Sequence, residues 1–212
     1  MDVTAINRFD VANICGNKMI MTLCLKKNNV PTPKTYFSFS SESAFENLEK
    51  VGYPLVIKPL IGSWGRGVMP LKDKDAAEAV MEIRDINDGP HDRIYYLQEL
   101  IQRPPRDIRV ITVGDEPVAA MYRKSSNGFK TNIALGADPE LCEITKEMED
   151  IAIKASKAVG GGILGIDMME DEKEGLVVHE VNNTVEFKGL ARVAKRNIPK
   201  AMVEYAISCI RK

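Results

Sequence analysis

The chain has 212 residues, long enough for one large domain or two small ones with real cores, and its composition is ordinary at 44% hydrophobic and 28% charged. A formal net charge of −1 gives no global basic field, which argues against nucleic acid as a partner, and nothing in the composition argues for disorder. No apolar run approaches the ~20 residues needed to cross a bilayer, and the first residues lack the charged segment and apolar core of a secretory signal.

In chain order, 17–27 reads as a helix with Ile20, Met21, Cys24 and Leu25 as its apolar stripe, ended by Val30-Pro31-Thr32-Pro33. A second helix is expected over 41–51, with Phe45 and Leu48 on one face. The alternating, β-branched stretch 53–58 predicts a strand that runs into a loop over 59–67. Residues 74–84 are helical in pattern, and 94–101 is strongly β-like and closed by Pro104-Pro105. Strands over 108–113 and 118–123 flank Gly114-Asp115, a tight-turn signal. An amphipathic helix over 145–159 stops at Gly160-Gly161-Gly162, and a last helix begins with Pro199 in its first turn. Helices mixed with hairpins, rather than a strict βαβ alternation, predict an α+β fold.

The stretch 165–183 is the richest in chemistry. Gly165-Ile166-Asp167-Met168-Met169 and Val177-Val178-His179-Glu180-Val181-Asn182-Asn183 read as two strands joined by the turn 171–175. Centring the hairpin on Lys173 and Glu174 sets Asp167 opposite Glu180 and Asn182 opposite Gly165, all on one face. Opposed like charges are destabilising unless something positive lies between them, and a hard cation with oxygen ligands such as Mg²⁺ meets that need. An acidic hairpin on a solvated face gives the same pattern. By the same alternation His179 points to the other face, as a core or surface residue. The four cysteines (Cys15, Cys24, Cys142, Cys209) form no CxxC pair, and with only two histidines a zinc site is not expected. Free thiols point to a reducing, cytosolic setting.

Other groups are weaker one at a time. Gly62, Ser63, Gly65 and Gly67 with Arg66 can wrap phosphate oxygens, although no Gly-Lys-Ser/Thr follows and a structural turn reads the same way. Lys58 ends the preceding strand and can neutralise a phosphate. Gln98, Glu99, Leu100 and Ile101 form an apolar strand with two polar insertions, suited to adenine and ribose. Asp107, between Arg106 and Arg109, reads as a ribose partner or a structural Arg–Asp pair. Arg123-Lys124 ends a strand and can stabilise transferred phosphoryl charge, or is a solvated strand end. Trp64 anchors the glycine loop, and Met168-Met169 reads as core.

As an ordered set these motifs resemble the ATP-grasp ligases, from about residue 7 to the end of the chain. Within them the chain is most similar to the RimK-like branch, and there to the alpha-aminoadipate–LysW (LysX) ligase group of lysine biosynthesis, with the glutamate-adding ArgX group as near relative. Cys15-Gly16-Asn17-Lys18, Lys58-Pro59, Ile61-Gly62-Ser63-Trp64-Gly65-Arg66, Arg106-Asp107-Ile108-Arg109 and the run from Glu180 to Lys188 carry that likeness. The resemblance implies two α+β subdomains gripping ATP, over 17–102 and 103–212, with 1–16 a linker remnant from an absent N-terminal domain. It implies ATP with two Mg²⁺ ions, Mn²⁺ being an alternative. Lys18, Lys58, Asn132 and the glycine loop would hold the nucleotide, and Asp167, Glu180 and Asn182 the metal. Arg123 and Lys58 would be catalytic, and Glu186, Phe187 and Lys188 would line the amino-acid site. The implied partners are an acidic amino-group carrier protein, 2-aminoadipate or glutamate, and further copies of the chain in a homo-oligomer. Arg192, Lys195, Arg196 and Lys200 would steer the carrier, or form a solvated helix face.

Three departures from the family pattern stand out. The family's small leading α/β domain is not in this sequence. Leu135 replaces an arginine in Asn132-Ile133-Ala134-Leu135-Gly136-Ala137, which implies slow turnover unless Lys130 or Arg123 substitutes. Gly189 stands where aminoadipate ligases are associated with asparagine, which leaves aminoadipate and glutamate both open; a RimK-type ligase adding glutamate to another protein's C-terminus and a non-catalytic ATP-binding remnant are the alternative readings.

Overall fold

The structure, a computed structural model, describes residues 3–87, 89, 91–124 and 138–210. Its elements divide into two units, one of 17–19 and 33–101, the other of 1–16, 20–32 and 102–212. Helices and two antiparallel sheets make it α+β, as the mixed pattern predicts.

The smaller unit is a four-stranded sheet in the order β1-β4-β2-β3, built from β1 (Thr35–Ser38), β2 (Leu55–Lys58), β3 (Met69–Leu71) and β4 (Tyr95–Glu99). Two helices, α3 (Ser41–Val51) and α4 (Lys74–Asn87), bring Ala44, Leu48, Ala77 and Met81 against Leu55, Ile57, Leu71, Tyr95 and Leu97. Ser40 caps α3 by accepting the Ser43 N–H, which satisfies one of the first-turn donors. Alternation then turns Lys58, Tyr96 and Gln98 to the other face, where β2 and β4 pair Val56 with Gln98 and Lys58 with Tyr96.

The larger unit is a five-stranded sheet in the order β7-β6-β5-β8-β9. Its strands are β5 (Arg106–Val113), β6 (Glu116–Lys124), β7 (Asp138–Cys142), β8 (Ile163–Asp171) and β9 (Gly175–Asn182). One face is apolar along its length: Ile108, Val110, Leu164, Ile166, Met168, Val178 and Val181 are all buried. They pack on Val11 from α1 (Phe9–Gly16), Met21 and Leu25 from α2 (Lys18–Lys27), and Met148, Ala152, Ala155 and Val159 from α5 (Lys146–Val159). Thr145 caps the start of α5, and Gly160 at φ +106 ends it in the left-handed conformation that glycine adopts without strain. The other face is divided. Ile111, Val113, Ala119 and Met121 lie under Leu190 of α6 (Lys188–Ala191) and Ile198 and Ala201 of α7 (Ile198–Ile210), while the far end carries charged residues.

The division of the chain differs from the boundaries read in sequence. Residues 20–32 group with the larger unit because Met21 and Leu25 are buried in its core. Residues 9–16 form α1, with Val11 in the same core. The short elements β1, β3, β7, α1 and α6 carry too few residues for a clear period. Leu25→Ala should lower the unfolding free energy of the larger unit by about 2–5 kcal/mol, because its site is fully buried among sheet and helix side chains. Urea unfolding of variant and wild type measures it.

Candidate functional site

Strands β8 and β9 pair Asp167 with Glu180 and Gly165 with Asn182, the register that the hairpin reading predicts. The turn itself is tighter than that reading, closing Asp171 on Gly175, whose φ of +77 suits glycine. The two observations are reconciled by a bulge: the register shifts between Asp167 and Met168, with His179 as the extra residue on β9. A bulge interrupts side-chain alternation, so His179 does not turn to the opposite face as expected. Its Nε2 lies 4.0 Å from Asp107 Oδ2, on the face of the carboxylates.

Asp167 is the centre of this end of the sheet and is buried. Arg109, directly across from it on β5, donates through Nε to Oδ1 and through Nη2 to Oδ2, the latter at 2.8 Å. Arg123 on β6 reaches Oδ1 from 3.2 Å and grips Asp107 with both Nε, at 2.6 Å, and Nη2, at 2.8 Å. Asn182 donates Nδ2 to Asp167 Oδ2 at 3.2 Å. Gly165 leaves room for this arrangement, since a Cβ there would lie 3.0 Å from Arg109 Nη1 and 3.2 Å from Arg109 Cδ. The space over Gly165 is therefore filled by Arg109.

Charge balance explains the ionisation. Burial alone pushes the Asp167 carboxyl up, but the Arg109 and Arg123 guanidiniums outweigh it, with a smaller contribution from His179, and hold it down at about 2. Burial pushes the Arg123 guanidinium down, yet Asp167 and Asp107 overcome this and raise it. Asp107 is buried and engaged on both oxygens by Arg123, the structural pair that the sequence left open beside a ribose role. Arg123 is a buried brace shared by two carboxylates. Arg106, on the other face, pairs with Glu170 and stacks over Tyr122.

In the smaller unit, Lys18 donates Nζ to the Gly62 carbonyl at 2.8 Å, and its N–H meets the Leu60 carbonyl. The lysine and the glycine loop are thus held together. Gly62, Gly65 and Gly67 take positive φ, and so does Trp64 at +59, with Arg66 stacked 5.1 Å over its ring. Lys58 and Gln98 are both buried, and Lys58 Nζ donates to Gln98 Oε1 at 2.6 Å. Gln98 Nε2 in turn donates to Tyr96 Oη at 2.9 Å and Thr35 Oγ1 at 3.0 Å. Gln98 therefore positions the lysine, a role the sequence did not suggest. Glu99 extends the strand, its N–H bonded to the Lys34 carbonyl, and Leu100 and Ile101 follow.

Glu186, Phe187 and Lys188 follow the end of β9 after three intervening residues. Phe187 packs on the second core of the larger unit, while Glu186 and Lys188 are exposed. Three of the basic residues expected to steer a carrier face acidic neighbours: Arg196 pairs with Glu116, Lys195 with Glu143 and Lys200 with Glu204. Asn132, Lys130 and Leu135 lie outside the described residues. All four cysteines are free thiols, and burial with Cys24 and Glu180 nearby pushes Cys15 up to about 12.

Two carboxylates and a carboxamide in this register are oxygen donors suited to a hard divalent cation. Asn182 presents nitrogen to Asp167, and a half-turn of its amide presents oxygen instead. The residues fit Mg²⁺ in kind. The positive charge that the sequence reading assigned to a metal is here supplied by Arg109 and Arg123. Among the described residues, no group of three or more His, Cys, Asp or Glu is placed to hold a metal. No described helix is long and apolar enough to cross a membrane.

Comparison with known proteins places this geometry in a family. The RimK-like ATP-grasp domain matches residues 15–206. The alpha-aminoadipate–LysW ligase LysX of Saccharolobus solfataricus is 39% identical over 93% of this chain and 72% of its own length. The glutamate–LysW ligase ArgX of Sulfurisphaera tokodaii is 34% identical over 96% of this chain and 72% of its own. A RimK-domain ATP-grasp protein from Sphaerobacter thermophilus, at 24% identity, has a TM-score of 0.76 over 95% of this chain and 70% of its own, which shows the shared fold.

Because the Asp167 carboxyl is held below its ordinary 3.8, its pairing stabilises the folded protein above pH 4 and is lost as pH falls through about 2. Wild type should accordingly lose about 2 kcal/mol more than Asp167→Asn between those limits. Urea unfolding at stepped pH checks this, and parallel profiles for the two proteins would contradict it.

Proposed function

The chain belongs to the RimK-like ATP-grasp family, and on that premise we propose that it joins the amino group of 2-aminoadipate to a small acidic carrier protein, in lysine biosynthesis. It is an ATP-dependent carbon–nitrogen ligase. The bond would form at the side-chain carboxylate of the carrier's C-terminal glutamate, giving ADP and phosphate. The observation that carries this reading is the 39% identity to an alpha-aminoadipate–LysW ligase along 93% of the chain. ArgX, the glutamate–LysW ligase, is 34% identical and supports glutamate as the second reading.

The chemistry proceeds in two displacements. The carrier carboxylate attacks the γ-phosphorus of ATP and the bond to the β-bridging oxygen breaks, releasing ADP and leaving an acyl phosphate. The amino acid's amine then attacks the acyl carbon, the carbon–oxygen bond breaks, and inorganic phosphate departs as the amine loses its proton. Both displacements crowd negative charge onto phosphoryl oxygens, so fixed cations lower the barrier. Lys58, held by Gln98, and Lys18, held on Gly62, supply two of them. The backbone of Gly62, Ser63, Gly65 and Arg66 would follow the phosphates, and Glu99, Leu100 and Ile101 the adenosine. Asp167, Glu180 and Asn182 would hold Mg²⁺, which supplies Lewis-acid charge to phosphate oxygens when bound. The Asp107–Arg123 brace fixes Asp167 for that task. Lys188, exposed after β9, would pair with a substrate carboxylate.

One competition tests the reading. The protein is incubated with Mg²⁺-ATP, an acidic LysW-type carrier, and equal 2-aminoadipate and glutamate, and the intact carrier is weighed by mass spectrometry. An aminoadipyl adduct is expected. A glutamyl adduct would assign the chain to the ArgX-like reading, and an unmodified carrier would contradict both. Asp167→Ala and Glu180→Ala should each abolish the adduct.

A further inference from the structure

The acceptor capacity of Asp167 is used up without a metal. An ionised carboxylate offers about four lone-pair directions. Oδ1 takes Arg109 Nε and has Arg123 Nη2 at 3.2 Å, and Oδ2 takes Arg109 Nη2 at 2.8 Å and Asn182 Nδ2 at 3.2 Å. A divalent cation can coordinate this carboxylate only if a donor leaves. The three donors are not equally free to do so. Arg123 is buried and anchored by two bonds to Asp107, so it stays. Asn182 needs only to turn its amide, and that frees one direction on one oxygen. Arg109 alone covers both oxygens, and it is more exposed than its partner, with 12% of its side chain accessible against 2% for Asp167. Its side chain lies over Gly165, which presents no side chain to it.

We propose that Arg109 is a resident stand-in for the divalent cation: it neutralises the buried Asp167 in the metal-free protein and must release it before a metal ion can bind there. This rests on Asp167 being a metal ligand, the reading given above. The physical logic is replacement of one positive partner by another. A buried carboxylate left without one is costly, so the stand-in keeps the sheet intact when metal is absent and thereby competes with metal. The guanidinium that leaves is set free beside the site as the metal enters. Metal affinity is lowered by whatever the Arg109 fork contributes, and charged hydrogen bonds of this kind make that a factor of at least roughly ten.

The test is direct binding of Mn²⁺ without nucleotide, read from the loss of the free-ion electron paramagnetic resonance signal, using the full chain. Arg109→Gln should bind Mn²⁺ at least roughly tenfold more tightly than wild type, and its melting temperature should rise more on adding Mn²⁺. Gly165→Ala offers a second route that keeps every charge, because the added Cβ crowds the Arg109 side chain at 3.0–3.2 Å. It should tighten Mn²⁺ in the same direction by a smaller factor. Affinity unchanged or weaker in both variants would overturn the proposal. If Asp167→Asn abolishes Mn²⁺ uptake while the Arg109 and Gly165 variants match wild type, Asp167 remains a ligand and the stand-in is refuted. Uptake that survives Asp167→Asn would refute the metal assignment and the stand-in together.

Discussion

A carboxylate buried in the middle of a sheet must be given positive partners, and much of the larger unit is arranged around that requirement at Asp167. An isolated buried charge costs several kcal/mol, far more than a surface ion pair returns. The partners come from different strands. Arg109 lies across from Asp167 on β5, and Arg123 lies across from Asp107 on the next pair, so two antiparallel registers must hold together for one carboxylate to be satisfied. The β9 bulge adds His179 to the same face without disturbing the Asp167–Glu180 pairing. Loss of any one register would strand a charge.

The sheet affords this because its two faces are treated differently. One face is covered along its length by α1, α2 and α5, and its apolar residues supply the burial that stabilises the unit. The other is covered at one end by α6 and α7, which leaves the charged end uncapped by those helices. The smaller unit follows the same plan on a smaller scale. Helices α3 and α4 cover one face, and the other carries Lys58 in a buried chain of hydrogen bonds through Gln98 to Tyr96 and Thr35. A lysine held in this way has little side-chain freedom left to lose on meeting an anion. In both units, then, an apolar face gives stability and a polar face carries buried, hydrogen-bonded charged side chains.

Long, strongly periodic elements were legible in the sequence, and so was the hairpin that matters most. The helix over 41–51 is α3 residue for residue, and the pairings of Asp167 with Glu180 and Gly165 with Asn182 are those predicted by centring the hairpin on Lys173 and Glu174. Two compensating details were hidden: the turn is tighter than the one assumed, and the His179 bulge restores the register beyond it. Nothing local in Val178-His179-Glu180 signals a bulge, so His179 is assigned to the wrong face. Arg109 went without a role for a different reason. Its partner is 58 residues away, and only the non-local pairing of β5 with β8 reveals it. Residues 20–32 read as part of the unit that surrounds them in sequence, but burial of Met21 and Leu25 assigns them elsewhere. Periodicity identifies an apolar stripe without saying which core it enters.

The position of the cation decides most. Crystals of the protein grown with Mn²⁺ and a non-hydrolysable ATP analogue would show the ion directly by its anomalous scattering. A peak within coordination distance of Asp167 and Glu180 oxygens, with the Asn182 amide turned and Arg109 off Asp167, is the expected result. A peak bound elsewhere, with Arg109 still bridging both oxygens of Asp167, would contradict the assignment of this end of the sheet as the metal and phosphoryl site.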